Sequence, residues 1–288
     1  MAPPDATGPA SVQIGFFGVR GSYPCPGAAW ARYGGNTACV VLTRVGEPPL
    51  LLDMGTGMVA FGAAQALDSP FRGTALVTHA HWDHIQGLPY FAPVNRPGAT
   101  LDVYGPTEGG LSLNEVFDLA IAPPVFPVSW RDLSGDIVFH DVATGCFTVG
   151  GFTVWAGTVP HPGTMVGYRV EGDGAAIAYV SDHQMPAERG VVDVGVLSLC
   201  ERVDLLVHDA QYTDEEFSNK PDWGHCTIDY AIEVARQASA RQLAFFHHDP
   251  AHDDGMMDAL AADAVEWARE RGVDAFVAME GTSFELRS

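Results

Sequence analysis

Three histidines and an aspartate stand within six residues, directly after the apolar run Thr-Ala-Leu-Val-Thr, which predicts a buried strand. The segment 79–84 reads His-Ala-His-Trp-Asp-His. Imidazole nitrogens and carboxylate oxygens are ligands that suit zinc, iron and manganese. His79 and His81 are two residues apart, so both rings lie on one side of an extended backbone. Asp83 and His84 follow where the chain turns, and the motif therefore predicts a pair of metal sites. A histidine-rich surface loop is the plain alternative.

Three later segments share one design, because each apolar run delivers a single ligand-type side chain at its end. A turn after a predicted strand carries His161, the run 178–181 ends in Asp182, and the run 243–246 ends in His247. Folds of the α/β class gather their sites at strand ends. We therefore expect these three side chains to lie beside the histidine-rich segment.

Short apolar β-rich runs alternate with helical segments along the chain. Predicted strands cover residues 12–17, 38–43, 50–53, 75–78, 101–104, 137–140, 152–155, 167–170, 176–180, 205–208, 243–246 and 276–279. Predicted helices cover residues 227–238 and 256–271. This order predicts an α/β fold with two sheets flanked by helices. The proline-rich piece 122–127 is a candidate connector between the two halves, or a loop over the mouth of the site.

Length and composition favour one globular domain over residues 1–288. With 288 residues and 47% hydrophobic content, the chain can bury a large core. Its start is rich in proline, alanine and glycine, and we expect residues 1–11 to be flexible. It lacks the basic and apolar regions of a secretory signal, and no stretch reaches the roughly 18 apolar residues of a membrane helix. We therefore expect a soluble cytoplasmic protein that has no membrane partner.

The formal charge of −21, from 36 acidic against 15 basic residues, favours a small-molecule substrate. Such a surface repels polyanions, and the sequence shows no basic patch that could bind long nucleic acid. Bound metal would neutralise several acidic residues, so the loaded protein would be less negative than its formal charge. The oligomeric state stays open, with a homodimer among the alternatives.

The order of these motifs resembles the metallo-β-lactamase superfamily and, within it, the ribonuclease Z-like phosphodiesterases. The match spans residues 15–285 and begins with the segment 51–57, Leu-Leu-Asp-Met-Gly-Thr-Gly. The histidine-rich segment follows, and the three later ligand-type residues stand in the order that the family requires. The resemblance implies a four-layer αββα sandwich with two divalent metal ions. Zinc is the first expectation, with manganese or iron as alternatives.

The resemblance also implies how the ligands divide between the two metals. One metal would be held by His79, His81 and His161. The other metal would be held by Asp83, His84 and His247.

Two aspartates complete this implied arrangement. Asp182 would bridge the metals, and Asp53 resembles the superfamily's aspartate that orients a ligand imidazole without binding metal itself. His247 has a competing neighbour in His248. We prefer His247 because it ends the apolar run as the family's last ligand does.

Two further segments resemble ribonuclease Z-like enzymes in particular. Residues 207–211, Val-His-Asp-Ala-Gln, resemble their His-Glu-Ala-Thr loop with aspartate in place of glutamate. Residues 224–227, Gly-His-Cys-Thr, resemble their His-Ser-Thr motif. A histidine near a carboxylate, outside the metal set, is what protonation of an alkoxide leaving group needs. The resemblance therefore implies that His225 is the general acid, oriented by Asp209, with His208 as support. The residues predicted to be catalytic are therefore His225, Asp209 and Asp83.

Candidate substrate contacts come from the glycine-rich stretches 18–24 and 33–37 and from Trp223. The stretches look like the opening of the same enzyme group, and tight turns are their alternative role. Arg20 and Arg32 are the only charges there that could meet a phosphate. Arg20 and Asn36 are therefore predicted to contact substrate, and Trp223 is predicted to line the pocket.

Together these features predict a dinuclear metal-dependent hydrolase, most simply a phosphodiesterase for a small or cyclic phosphodiester. A metal-bridging hydroxide would attack phosphorus. The tRNA-processing members carry a protruding basic arm between the third and fourth motifs, whereas only twenty residues separate His161 from Asp182. The alternatives are tRNA 3′-processing endonuclease-like activity, hydrolysis of a lactone, β-lactam or thioester, and a non-catalytic metal-binding sensor.

Overall fold

Two seven-stranded sheets face each other in the computed structural model, which describes residues 11–65, 69–188 and 190–286. Six strands of one sheet come from the first half of the chain: β1 (Val12–Gly18), β2 (Cys39–Thr43), β3 (Leu50–Leu52), β4 (Arg72–Leu76), β5 (Thr100–Gly105) and β6 (Asp136–Asp141). The other sheet contains β7 (Gly145–Val149), β8 (Phe152–Thr158), β9 (Val166–Gly172), β10 (Ala175–Val180), β11 (Leu205–Asp209), β12 (Gln242–Phe246) and β13 (Asp274–Val277). The last strand, β14 (Ser283–Leu286), returns to the first sheet and pairs antiparallel with β1.

The α-helices of the described residues lie between these strands. They are α1 (Gly57–Ala63), α2 (Trp82–Ile85), α3 (Leu113–Ala120), α4 (Val194–Cys200), α5 (Asp214–Ser218), α6 (Ile228–Ala238) and α7 (Asp254–Glu270). In this part of the chain, no helix combines the length and apolar character that crossing a bilayer needs. The flexible start expected over residues 1–11 lies, apart from Ser11, outside the described residues.

Three apolar layers hold the sheets and helices together. The inner faces of both sheets contribute to the middle layer, where Phe16 of β1 packs with Phe246 of β12. Helices α1 and α3 cover the outer face of the first sheet. Helices α4, α6 and α7 cover the outer face of the second. The four-layer αββα sandwich implied by the sequence is therefore confirmed.

Parallel pairing in the middle of each sheet brings several strand ends to one edge. Strands β3, β4, β5 and β6 are parallel neighbours in the first sheet. Strands β10, β11, β12 and β13 are parallel neighbours in the second. The polar side chains that follow β4, β10 and β12 can therefore meet, as sites at the carboxyl ends of parallel strands do.

Capping fixes the start of α6 immediately after a predicted functional motif. The Thr227 hydroxyl accepts a hydrogen bond from the backbone N–H of Tyr230 at 3.1 Å, which is the usual role of a threonine at a helix start. The helix ends at Ser239, whose φ of 53° lies in the left-handed region. Because Thr227 lies two residues after His225, this cap also fixes the backbone that carries the histidine.

The predicted strands all correspond to observed ones, although their ends differ by up to three residues. Two strands, β7 and β14, and the shorter helices were not predicted. The prediction that residues 122–127 connect the two halves was wrong. These residues lie between α3 and β6, both of which belong to the first half of the sandwich. The chain crosses between the sheets in the short link from β6 to β7 instead.

Replacing Leu205 with alanine should destabilise the protein strongly. Its side chain is fully buried on β11 in the layer between the sheets, and a Leu→Ala change in such a core lowers the free energy of unfolding by about 2–5 kcal/mol. Urea denaturation measures this loss. Leu119→Ala is the control, since Leu119 is 70% exposed. Equal unfolding midpoints for the two variants would contradict the packing described between the sheets.

Candidate metal centre

The side chains predicted as metal ligands meet at one end of the sandwich. His79 and His81 follow β4, and their ring centroids are 4.4 Å apart. The ring of His161, which follows β8, is 4.5 Å from that of His79. Asp182 follows β10, and its Oδ1 is 3.2 Å from Nε2 of His84. Segments far apart in the sequence therefore converge on one cluster, in which His81 is exposed, His161 is half-buried and the other ligand-type side chains are buried.

The ligand atoms of this cluster fall into overlapping groups that could each hold an ion. One group contains His79, His81 and His161, and another contains Asp83, His84 and His247. Asp182 joins His79 and His84 in a third group, and His225 and His247 in a fourth. The ligand atoms within each group lie within 4.8 Å of one another. Two of these groups have the same members as the two sets that the resemblance implies, and the division of the ligands between two metals stays a prediction.

Unpaired buried atoms show that the residues fit a cation. Nε2 of His79, Nε2 of His84, both ring nitrogens of His161 and Oδ1 of Asp182 are buried without a hydrogen-bond partner. A buried polar atom without a partner carries a penalty of about 1–3 kcal/mol. Each of these four residues belongs to a ligand group and offers it one atom. Divalent metal ions would therefore satisfy one atom on each residue, although the second ring nitrogen of His161 would still lack a partner.

Asp53 supports the cluster from beneath. Its Oδ2 is 2.8 Å from Nδ1 of His84 and accepts a hydrogen bond from the hydroxyl of Tyr179 at 2.9 Å. Its Oδ1 accepts from the backbone N–H of Thr78 at 2.8 Å. An acceptor at Nδ1 holds the imidazole so that Nε2 faces the cluster. The φ of Asp53 is 61°, a left-handed conformation that aspartate adopts more readily than most residues.

Three supporting residues were not found from the sequence. The Thr78 hydroxyl lies 3.1 Å from Nδ1 of His79 and 3.0 Å from the hydroxyl of Ser181, and Tyr179 contacts Asp53. Each of them immediately precedes a candidate ligand or lies a few residues before one. Their position at the strand ends was the available signal, but small hydroxyl residues are common there.

A second buried pair lies beside the cluster. Nδ1 of His225 is 3.3 Å from Oδ2 of Asp209 and 3.5 Å from Oδ2 of Asp182. The backbone N–H groups of His183 and Gln211 donate to the Asp209 carboxylate, both at 3.0 Å. These bonds fix the carboxylate in place, so His225 is held at the rim of the ligand cluster.

His208 lies behind Asp209 and does not reach the ligand cluster. Its Nδ1 is 2.7 Å from the backbone oxygen of Asp209, and its Nε2 is 3.0 Å from Nδ1 of His183. The thiol of Cys226 donates to the same Asp209 oxygen at 3.0 Å. His208 therefore supports the backbone of Asp209, while His225 contacts its carboxylate.

Burial keeps three of the imidazoles neutral. It lowers the pKa of His79 and of His81, and it lowers the pKa of His161 to about 4. A neutral imidazole has a free nitrogen lone pair near pH 7, which is the form that binds metal. One group of candidate ligands is therefore ready to bind metal without first losing protons.

At Asp83, His84 and Asp182, electrostatic attraction between carboxylates and imidazoles outweighs the effect of burial on the pKa. Burial opposes the ionisation of Asp83 and Asp182, but the imidazoles of His84 and His247 outweigh it and hold both pKa values well below their usual range. Burial also opposes the protonation of His84, but Asp83, Asp182 and Asp53 outweigh it and raise its pKa. Two buried carboxylates thus stay ionised, and they attract positive charge to this part of the site.

The substrate contacts predicted near the start of the chain need correction. Arg20 is fully buried and donates to the backbone oxygens of Gly34, Asp249 and His252 at 2.7–3.1 Å. It joins loops of the protein and is not free to meet a phosphate. The second candidate charge, Arg32, is bound to the carboxylate of Asp258.

The contacts of Asn36, Trp223 and His248 are with other parts of the protein. The side-chain amide of Asn36 donates to Glu280 at 3.0 Å, and its contact with substrate stays a prediction. Trp223 is 64% exposed, with the Lys220 ammonium 5.5 Å from its ring, and its contact with substrate stays a prediction. Nε2 of His248 is 2.9 Å from the backbone oxygen of Ala278, which leaves His247 as the candidate ligand.

A cavity of about 230 Å³ opens beside the first ligand group. It is lined by His79, Ala80, His81, Glu108, Pro162, Gly163 and Thr164. Glu108 accepts a hydrogen bond from the backbone N–H of Thr164 at 2.6 Å, which ties two loops together at its wall. A carboxylate, and no lysine or arginine, therefore lines this cavity.

Fold and ligand cluster together define a metal-dependent hydrolase. The family described as Beta-lactamase superfamily domain matches residues 50–248. The Ribonuclease Z of Natronomonas pharaonis is 26% identical, over 96% of this chain and 98% of its own length. The metallo-beta-lactamase fold protein YhfI from Bacillus subtilis is 20% identical with a TM-score of 0.71, over 95% of this chain and 98% of that one. A diphosphatase from the PhnP family is 18% identical with a TM-score of 0.68, over 96% and 98%. The chain therefore belongs to the metallo-β-lactamase superfamily and has ribonuclease Z-like relatives, as its motifs predicted.

Gly224→Ala should weaken metal binding. A Cβ at this position would lie 2.7 Å from Nε2 of His161, and the φ of 92° is strained for any side chain. Gly272→Ala is the matched control, because Gly272 has a φ of 75° and open space around it. It pays a similar backbone penalty of about 1 kcal/mol without touching a candidate ligand. Metal-to-protein ratios after dialysis compare the two, and full metal retention by Gly224→Ala would contradict the role of His161.

Proposed function

We propose that this protein is a phosphodiesterase for a small or cyclic phosphodiester, with two divalent metal ions, zinc first among them. The observation that carries the proposal is the pair of His225 and Asp209 beside the ligand cluster. Nδ1 of His225 is 3.5 Å from Oδ2 of Asp182, the residue that would bridge the two metals. In this proposal His225 would be a proton donor next to the position where metal ions would hold a phosphoryl group.

The chain's own residues would divide the work as follows. His79, His81 and His161 would hold one metal, Asp83, His84 and His247 the other, and Asp182 both. The metals supply Lewis-acid stabilisation of the phosphoryl oxygens and make water a better nucleophile near neutral pH. In this proposal Asp83 contributes to catalysis only as a metal ligand.

His225 would protonate the oxygen that leaves phosphorus. Asp209 contacts Nδ1 of His225, which leaves Nε2 as the nitrogen that can face the substrate. The two backbone N–H groups that bind Asp209 keep this orientation fixed. His225 is also close enough to Asp182 and His247 to join them as a ligand, so its role as an acid needs a direct test.

Two observations support a small substrate. The twenty residues between His161 and Asp182 are all described, and most of them form the hairpin of β9 and β10, with a tight turn at Asp173 and Gly174. A protruding basic arm has no place in this hairpin. The cavity beside His79 contains the carboxylate of Glu108, which together with the charge of −21 disfavours a polyanion.

A second candidate function is cleavage of a tRNA precursor. It is favoured by the similarity to proteins named Ribonuclease Z, which extends over almost the whole chain. The PhnP-family diphosphatase shares the fold, and its name is compatible with a smaller phosphorylated substrate. The two candidate functions differ in the size and charge of the substrate that must reach the ligand cluster, so an assay with both kinds of substrate can separate them.

The deciding experiment compares substrates on protein of measured metal content. We expect metal-dependent hydrolysis of bis-p-nitrophenyl phosphate and of a 3′,5′-cyclic nucleotide, and little cleavage of a tRNA precursor with a 3′ extension. Asp182→Ala and a chelated sample should lose the activity. Efficient precursor cleavage would replace the proposal with the second candidate. Turnover of a lactone, β-lactam or thioester alone, or of nothing with both metals bound, would exclude a phosphodiesterase.

His225→Ala should slow substrates with poor leaving groups much more than activated ones. Loss of a general acid lowers kcat by roughly 10²- to 10⁴-fold when the leaving oxygen needs a proton. Nitrophenolate leaves without one, so its ester should be less affected. Asp209→Asn is the companion variant and should show a weaker form of the same pattern. An equal loss on both substrates, or loss of metal from His225→Ala, would show that His225 is not the acid.

A further inference from the structure

We infer that Gln211 and the turn formed by Gly21 and Ser22 are a positioning clamp for Asp83 and His247, the two ligands farthest apart in sequence in the second metal group. The inference rests on the proposed function only for the identity of the ligands. Its evidence is a closed set of contacts among residues from three distant parts of the chain.

Gln211 contacts the ring nitrogen of His247 that faces away from the cluster. Its Oε1 is 2.9 Å from Nδ1 of His247, so the amide oxygen accepts the imidazole proton. A neutral imidazole carries one N–H, and Nε2 then keeps its lone pair. That Nε2 lies 3.2 Å from Oδ2 of Asp83 and 3.5 Å from Oδ1 of Asp182. Gln211 therefore selects the tautomer that can bind metal.

The orientation of the Gln211 amide is itself fixed by neighbours. Its Nε2 donates to the hydroxyl of Tyr212 at 3.2 Å and to the hydroxyl of Ser22 at 3.4 Å. Its backbone N–H donates to Asp209. These bonds place the amide oxygen, and not the amide nitrogen, towards His247.

The backbone of His247 needs such support. Its φ is 61°, a conformation that few non-glycine residues adopt. The residue directly follows β12, and its ring is stacked against that of His84 with centroids 5.3 Å apart. A ring on a strained backbone keeps one orientation only when its surroundings determine it. Gln211 supplies a directional contact that ring packing lacks.

The turn at Gly21 and Ser22 completes the clamp on the other ligand. The backbone N–H of Ser22 donates to Oδ2 of Asp83 at 2.8 Å. A Cβ on Gly21 would lie 2.6 Å from Nδ1 of His247 and 2.7 Å from Oε1 of Gln211. Only glycine therefore fits, and this glycine-rich stretch serves the ligands directly.

Arg20 anchors the turn from the side away from the ligands. Its guanidinium is bonded to the backbone oxygens of Gly34, Asp249 and His252, while the backbone N–H of Gly21 donates to the His248 oxygen at 3.0 Å. The turn is thereby tied to the loop that carries His247. This placement explains why a buried arginine precedes the glycine.

The clamp acts on one metal group only. Gln211 contacts His247 and Ser22 contacts Asp83, both in the second metal group, whereas His79 of the first group has the hydroxyl of Thr78. Loss of such a supporting contact typically weakens metal binding 10- to 100-fold. Removing the Gln211 acceptor should therefore weaken the binding of one of the two ions and leave the binding of the other unchanged.

The experiment measures zinc bound per protein during dialysis against graded chelator, for the wild type, Gln211→Met and Gln211→Glu. We expect Gln211→Met to keep one tightly held ion and to bind the second about 10- to 100-fold more weakly. Gln211→Glu keeps an acceptor for His247 Nδ1 and should retain both ions. Gln86→Met is the matched control and should also retain both, since Gln86 is buried and its amide contacts Thr37.

The melting temperature of each metal-free variant separates positioning from folding. Positioning predicts that metal-free Gln211→Met melts like Gln211→Glu while their zinc stoichiometries differ. Two ions held with wild-type affinity by Gln211→Met would overturn the inference. Equal weakening of both ions with a lowered metal-free melting temperature would overturn it too, in favour of a structural role. These measurements need no turnover, so a failed phosphodiesterase assay leaves the test intact. A wild-type protein that binds no zinc would overturn both proposals.

Discussion

The ionised carboxylate of Asp182, buried among imidazoles, is the constraint on which the site depends. A buried charge is tolerated only when it is paired, and here the partners are His84 and His247 at 3.2 and 3.5 Å. Its Oδ1 still lacks a hydrogen bond. Burying this negative charge costs free energy when no metal is bound. The same charge attracts divalent cations. The fold therefore has to hold this carboxylate and its neighbours rigidly, and the two sheets provide that rigidity.

Each ligand group has its own supporting contacts, and these differ in chemistry. Asp53 offers a carboxylate to His84, Thr78 a hydroxyl to His79, and Gln211 an amide to His247. A carboxylate makes an imidazole a stronger ligand than a neutral acceptor does. The two halves of the centre are thus unequal by construction, with the N-terminal turn contributing to only one of them.

Local pattern and tertiary context account for where sequence reasoning succeeded and where it failed. The strand ends that carry His79, Asp182 and His247 were recognisable because apolar runs and ligand-type residues are local features. Arg20 was misread because a charged residue in a glycine-rich turn looks exposed, while its burial comes from loops more than 200 residues away. The proline-rich segment was misplaced for a similar reason, since a change of composition does not reveal which sheet the chain occupies.

The sequence by itself was enough to identify the superfamily, because its ligand-type motifs are local and stand in a characteristic order. The resemblance then implied the αββα architecture and the candidate metal ligands. The sequence did not determine how those residues are held. The contacts of Gln211 with His247 and of Ser22 with Asp83 join positions 36 and 61 residues apart, and no periodicity encodes such pairs. Only the packing of the two sheets sets these distances, and hydrogen bonds depend on distance and angle too steeply for sequence spacing to predict.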